Sequence, residues 1–199
     1  MARLLRSGKN VITPWPSMLM WSSYGRSVMP EAIAEIEAAA HEGGASLFAT
    51  GTDPGIATDA LPALLSGASG SVERVTVQEL GDYSPLAPTG LLTDPGFLSF
   101  GQPLDYAGRS WVEEPAMQKL GGAMPSIIAA ALGHEPTRIE FFEHGVCLNT
   151  AKNSQGAMLV TATRCANAVG AVCAASPGIR TIFDFRLGEL TLGRPPERG

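Results

Sequence analysis

The chain has 199 residues, 45% apolar and 17% charged, with a net charge of −5. That length allows one domain, or one and a half, with a sizeable core. With no basic block, nucleic acid is set aside as a partner, and with no apolar run of membrane-spanning length, a membrane is set aside too.

In chain order, Met1 to Ser7 reads as the last turns of a helix closed by Gly8, and Asn10–Thr13 as a short β-branched strand stopped by Pro14 and Pro16. These opening residues lack the long apolar run of a signal peptide, so a cytoplasmic location is expected. Trp15 to Ser27 is aromatic and methionine-rich without a clean period, which suits core packing or the wall of a pocket. Pro30–Glu42 predicts a helix, with proline in its first turn, alanines throughout and Gly43-Gly44 as its stop. Ile33, Ile36 and Ala40 form its inward stripe, and His41 reads as a favourable charge at a helix C-terminus. Ala45–Thr50 is a short apolar run between glycines, a buried strand. Ile56 to Leu65, with apolar residues at 56, 60, 61, 64 and 65, has helical spacing.

Between that strand and that helix lies Gly51-Thr-Asp-Pro-Gly55. A turn of this kind places backbone N–H groups at the carboxyl end of a strand, where α/β sheets bind ligands. An ordinary βα turn capped by Asp or Thr fits the same spacing. Further on, Ser71–Leu80 and Thr137–His144 read as strands, Tyr83–Pro95 as loop, and Pro115–Leu132 as a helix closed by Gly133. A long Ala/Val/Cys helix follows Asn153 and ends near Ala175, before Ser176-Pro-Gly178. Cys147, Cys165 and Cys173 form no C-x-x-C pair. The last two read as core thiols on that helix, consistent with a reducing compartment. Nothing in the sequence suggests a metal site. Residues 188–199, rich in Gly, Pro and Arg, are expected to be a disordered tail.

Two stretches carry a resemblance. Gly51-Thr-Asp-Pro-Gly-Ile with Asp59-Ala-Leu-Pro62, and the helix from Asn153-Ser-Gln-Gly156 through Asn167-Ala168 to Ser176-Pro-Gly178, resemble segments of a reductase family. These are the NAD(P)-dependent enzymes related to dihydrodipicolinate reductase and 2,4-diaminopentanoate dehydrogenase, amine dehydrogenases of actinobacterial type among them. In that family the first segment usually reads Gly-Val-Asn-Pro-Gly-Phe. It joins a Rossmann domain to a mixed-sheet substrate domain, and the second segment returns to pack on the Rossmann part.

The resemblance implies an α/β (α+β) fold in four parts. Residues 1–55 would be the C-terminal part of a dinucleotide-binding domain, 56–152 a reduced substrate and dimerisation domain, 153–187 the return helix and closing strand, and 188–199 the tail. It implies an NAD(P)-dependent oxidoreductase acting on a C=N, C=O or amine group of a small molecule. The cofactor-side positions would be Thr13, Gly51, Thr52, Asp53, Pro54, Gly55, Asn153 and Gly156, with Trp15 and Asp53 toward substrate. The acidic residue that meets the substrate amine in the family is not carried over, because no Asp or Glu lies between Thr13 and Met29, and no catalytic acid or base is named. The glycine-rich phosphate loop of the family has no counterpart here, and the stretch between Glu143 and the return helix is shorter than in the family. Both departures suggest a shortened chain. Three readings follow: an oxidoreductase, forming homo-oligomers or pairing with an intact paralogue; a non-catalytic remnant or partner subunit; and a binding domain whose pocket is the Trp15–Tyr24 loop.

Overall fold

Six consecutive residues, Ala45 to Thr50, are buried, because the strand they build is covered on both sides. In the computed structural model, which describes residues 1–53, 55–70, 72–77, 121–139 and 154–190, strand β1 (Val11–Thr13), β2 (Ser46–Ala49) and β3 (Gly178–Arg180) form a parallel sheet in the order β1-β2-β3. Val11 pairs with Leu47 and Thr13 with Ala49, while Ser46 pairs with Gly178 and Phe48 with Arg180. A central parallel strand is buried on both faces, so it reads as an unbroken run instead of an alternation.

Period-two geometry still divides its side chains. Ala45, Leu47 and Ala49 face a cluster with Leu5, Met18, Leu19, Met20, Ile33, Ala39, Ala40 and Ile179. The helices on this side are α1 (Ala2–Arg6), α2 (Ser22–Val28) and α3 (Pro30–Gly43). Helix α3 begins on Pro30, whose missing N–H is no loss there. It ends at Gly44, whose φ of 60° lets Ala45 N–H return to the Ala40 carbonyl at 2.8 Å. Met18, Leu19 and Met20, in the 3-10 turn Ser17–Met20, are core residues, whereas Trp15 is 46% exposed. Of the two readings of this stretch, packing describes its centre.

Phe48 faces the other way, into a cluster with Ala60, Ile127, Ile128, Ala168, Val172, Ile182 and Leu190. Helix α4 (Ala60–Ser66), helix α5 (Ala123–Ala131) and the 21-residue helix α6 (Ser154–Ala174) supply this side. Helix α6 packs against β1 and β2. Its exit is tied to the start of β2. The Ser46 hydroxyl lies 2.9 Å from the Ser176 carbonyl and 3.1 Å from that of Ala175, and Gly178 N–H donates to the Ala45 carbonyl. Each fully buried Leu, Ile, Val or Phe side chain in these clusters contributes about 1.5–3 kcal/mol. No helix among the described residues is long and apolar enough to cross a membrane.

Several expectations give way. The helix predicted from Ile56 starts only at Ala60, because Thr58 Oγ1 takes the Gly55 N–H in a turn and the Asp59 carboxylate caps the Ala60 N–H. Its Leu61, Leu64 and Leu65 are exposed, so the spacing that suggested an inward stripe does not face the core. Residues 72–77 form no strand. Val75 and Val77 do pack against the second cluster, so alternation selects the inward side chains without supplying a hydrogen-bonding partner. Residues 137–139 likewise form no strand, and the rest of that segment lies outside the described residues, as do 81–120 and Cys147. Cys173 is exposed, not a core thiol, while Cys165 is half-buried. The tail expected from 188 onward begins instead with a 3-10 turn, Leu187–Leu190, which buries Leu190. An apolar residue that completes a cluster outweighs the composition around it.

Candidate functional site

Parallel strands place their carboxyl ends on one edge of the sheet, and here that edge holds Thr13–Trp15, Thr50–Asp59 and Thr181–Asp184. At β1 the Thr13 hydroxyl accepts the Trp15 N–H at 3.1 Å and donates to the Trp15 carbonyl. At β3, Thr181 and Asp184 form a capping box, with Thr181 N–H donating to Asp184 Oδ2 at 2.6 Å and the Thr181 hydroxyl at 2.8 Å. Both ends close on themselves.

The exit of β2 is different. Thr50 N–H extends the pairing to the Thr13 carbonyl at 2.9 Å, and the chain then runs along α6. Thr52 N–H donates to Thr161 Oγ1 at 3.1 Å, and the Thr161 hydroxyl donates to Thr52 Oγ1 at 3.0 Å. Thr50 Oγ1 accepts from Arg164 Nε at 3.3 Å, and the Thr50 carbonyl accepts from Cys165 Sγ at 3.5 Å. Residues 161, 164 and 165 lie on one face of a helix at i, i+3 and i+4. An extended segment with residues 50 and 52 on its near side can therefore match them.

The turn then folds back. Ile56 N–H reaches the Gly51 carbonyl and Ala57 N–H the Thr52 carbonyl, both at 2.9 Å, while Gly55 N–H donates to Thr58 Oγ1. The expectation that this turn presents free N–H groups therefore does not hold for Thr52, Gly55 and Ile56, whose donors are spent inside the protein. Gly55 has a φ of 148°, and a Cβ there would collide with the Gly51 backbone, so only glycine closes this turn. Asp59 caps α4 by accepting Ala60 N–H.

Two buried charges flank the turn. Arg164 is 7% exposed and Asp59 is 3% exposed. Burial pushes the Asp59 carboxyl above the usual carboxylate range, against the Ala60 hydrogen bond and the nearby Arg164 charge, which pull it down. Burial lowers the Arg164 pKa, with Asp59 and then Cys165 opposing it. The Cys165 thiol is also raised by burial, with Arg164 opposing. Arg164 Nη1 donates to the Leu190 carbonyl at 3.3 Å, and Nη2 is buried with no hydrogen-bond partner. A buried donor left open costs about 1–3 kcal/mol or more when charged.

Of the residues expected from sequence, Thr13, Trp15, Gly51, Thr52, Asp53 and Gly55 do lie on this carboxyl edge. Asp53 is exposed and Thr52 half-buried. Gly156 lies in the first turn of α6, while Pro54 and Asn153 fall outside the described residues. Sequence reading missed Asp59, Thr161 and Arg164 as site residues. One signal was available: Arg164 is the single charged residue in the 21 of α6, and a lone cation on a packed helix needs a partner. Among the described residues no group of three His, Cys, Asp or Glu could hold a metal.

No protein-family model matches the chain. Over 134 residues it is 35% identical to a protein named amine dehydrogenase from Streptomyces virginiae, an alignment that covers 67% of this chain. The chain is similar to an amine dehydrogenase. It spans about a third (35%) of that relative's length.

Proposed function

We propose that this chain acts in an NAD(P)-dependent oxidoreductase that interconverts an amine with the corresponding imine or carbonyl of a small molecule. The observation that carries the reading is the 35% identity to an amine dehydrogenase over 134 residues. A parallel sheet with a tight turn at the carboxyl end of its central strand supports it, since that edge is where α/β sheets take ligands. Relation to the wider dihydrodipicolinate reductase group, a Rossmann-type origin for residues 1–55 and a homo-oligomeric or paired state belong to the same proposal.

The fit of a dinucleotide to the residues present differs at its two ends. After β1 the chain passes through Thr13–Pro16 into the 3-10 turn Ser17–Met20. Helix α2, the next, starts only at Ser22 and has no side-chain cap. This is not a glycine-rich turn onto a helix N-terminus, so these residues offer the pyrophosphate no cradle. The exit of β2 offers a polar ring substituent one donor, the buried Arg164 Nη2, which has no hydrogen-bond partner. When bound, the nicotinamide would supply the hydride acceptor and donor.

This chain's own residues would hold the reacting face at the exit of β2. Thr52 and Thr161, already bonded to each other, fix the turn against α6. The carboxylate of Asp53 is exposed in the turn after β2, where it would favour a cationic amine by simple attraction. The test is amine-dependent formation of NADH or NADPH by the purified chain across a panel of primary amines. Turnover that falls in Asp53→Asn through KM supports the reading. A folded chain inert toward every amine with both cofactors refutes it.

A further inference from the structure

Strand β1 stands at an edge of the sheet, and its ladder to β2 uses every second residue. In a parallel strand the N–H and C=O of one residue point to the same side, and those of the next point to the other. Thr50 N–H donates to the Thr13 carbonyl at 2.9 Å, so with Val11 opposite Leu47 and Thr13 opposite Ala49 it is Val11 and Thr13 that face β2. The main-chain N–H and C=O of Ile12 point away from the sheet, and among the described residues no strand meets them. Asn10 and Pro14 share that outward parity. The edge at β3 differs: it carries Arg180, and the outward N–H that follows it, on Thr181, is taken by Asp184 Oδ2 at 2.6 Å.

Sheet edges are commonly blunted by charged side chains. The run Asn10-Val-Ile-Thr-Pro14 has none, and Val11, Ile12 and Thr13 are each only half-buried. Helix α6 lies over β1 and β2. One flank of it is closed by the 3-10 turn Leu187–Leu190, where the Leu190 carbonyl takes Arg164 Nη1. Its remaining surface, with Leu159, Ala162, Ala166, Val169 and Cys173, is exposed and uncharged. A helix that is apolar on its outer side as well as its inner side is one that expects a second neighbour. A chain of net charge −5 repels its own copies, so two copies meet most easily where neither presents a charge. The strand edge and the helix surface beside it are continuous and meet that condition together.

We propose that β1 is the interface of a homodimer, in which two copies pair antiparallel about a two-fold axis at Ile12, with the open flanks of the two α6 helices side by side over the seam. In that register the Ile12 N–H of each copy donates to the Ile12 carbonyl of the other, and each Asn10 N–H donates to the Pro14 carbonyl of the other. Pro14 has no N–H to give, which ends the ladder there. The two Ile12 side chains form a β-branched cross-strand pair at the axis. Because the paired strands are antiparallel, the two carboxyl edges point in opposite directions, and each copy keeps its own Thr13–Trp15 and Thr50–Asp59 edge. The inference deepens the proposed function in its homo-oligomeric state alone and rests on nothing of its chemistry.

The test is hydrogen exchange at the Ile12 amide of the whole chain at about 10 μM and about 1 mM, with sedimentation equilibrium over the same range. Exchange passes through the monomer, whose fraction in a mostly dimeric sample falls as the square root of concentration. The Ile12 amide should therefore exchange up to about tenfold more slowly in the concentrated sample, and sedimentation should give twice the chain mass. Ile12→Pro removes the outward donor and leaves the groups of Val11 and Thr13 to β2. It should raise the dimer dissociation constant about a hundredfold, from two lost hydrogen bonds at about tenfold each. Val169→Lys changes a side chain that is 51% exposed, so the core of each copy is untouched, but it sets like charges beside the seam and should weaken the dimer about tenfold. A chain that stays monomeric at 1 mM, Ile12 exchange that is the same at both concentrations, or a dimer that both variants leave intact would overturn the interface. The exchange measurement uses the wild-type chain, so it decides even if Ile12→Pro fails to fold. Turnover enters none of these readouts: an inert dimer removes the functional reading and leaves the interface, and an active monomer does the reverse.

Discussion

Phe48 is 1% exposed at the centre of the sheet, and its ring meets that of Phe185 edge-on at 4.9 Å between centroids. Phe185 belongs to the segment after β3, some 130 residues beyond β2 in the chain. Their contact therefore reports whether the C-terminal segment closes over the strand that carries the site. Truncating a buried Phe to Ala costs about 3–5 kcal/mol, transfer loss and cavity together. For half-buried Phe185 the exposed part loses little, and Phe185→Ala should cost roughly 1–2 kcal/mol. The edge-to-face contact itself accounts for about 0.5–1.5 kcal/mol beyond area, so the double variant should be less destabilised than the sum of the singles by that amount. Urea unfolding of wild type, both singles and the double, followed by circular dichroism, measures all four corners. Additive singles within about 0.3 kcal/mol, or a Phe48→Ala cost near that of a surface change, would refute the packing of residues 182–190 on β2.

Asp59 predicts a pH effect whose sign is set by burial. Its folded pKa is raised, so between the unfolded value near about 4 and the folded value the native state holds more protons than the unfolded one. Stability therefore falls as pH rises through that window. Relative to Asp59→Asn, which keeps the helix cap, wild type should lose stability from pH 4 toward neutrality; a constant or widening advantage for wild type in urea midpoints would contradict this. Thr161→Val removes the acceptor of Thr52 N–H and should cost about 1 kcal/mol, with Thr52 amide exchange roughly fivefold faster where local opening governs it; unchanged Thr52 protection would show that the contact is dispensable. Gly55→Ala should cost about 1–3 kcal/mol, since alanine must leave a positive φ and clear the Gly51 backbone, and thermal melting near the wild-type midpoint would show that the turn relaxes freely.

What could be read from sequence followed local chemistry. Helix α3 declares both of its ends through Pro30 and Gly43-Gly44, the run Ala45–Thr50 is too apolar to be anything but a covered strand, and Ser176-Pro-Gly178 stops α6. The turn at Gly51–Gly55 was also visible as a turn. The fate of its donors was not, because Thr161 lies over a hundred positions away and no local rule pairs it with Thr52. The exposed Leu61, Leu64 and Leu65 show the opposite error: helical spacing states which residues share a face, but only a neighbouring element decides whether that face is covered. Arg164 and Asp59 were missed for the same reason. Asp59 is unremarkable along the chain, Arg164 stands out only as the lone charge of α6, and their burial follows from the docking of α6 beside the exit of β2.

The most direct test of the functional account is titration of NADH and NADPH into the folded chain, followed by tryptophan emission. Trp15 lies at the carboxyl end of β1 and is half-exposed, and Trp21 packs edge-on against Phe183 at 5.7 Å, beside the end of β3. Both therefore stand where a nicotinamide ring at this edge would alter their emission. The account predicts saturable quenching by at least one of the two cofactors, weakened in Arg164→Lys. A folded chain whose emission neither cofactor changes, up to millimolar concentration, would contradict it.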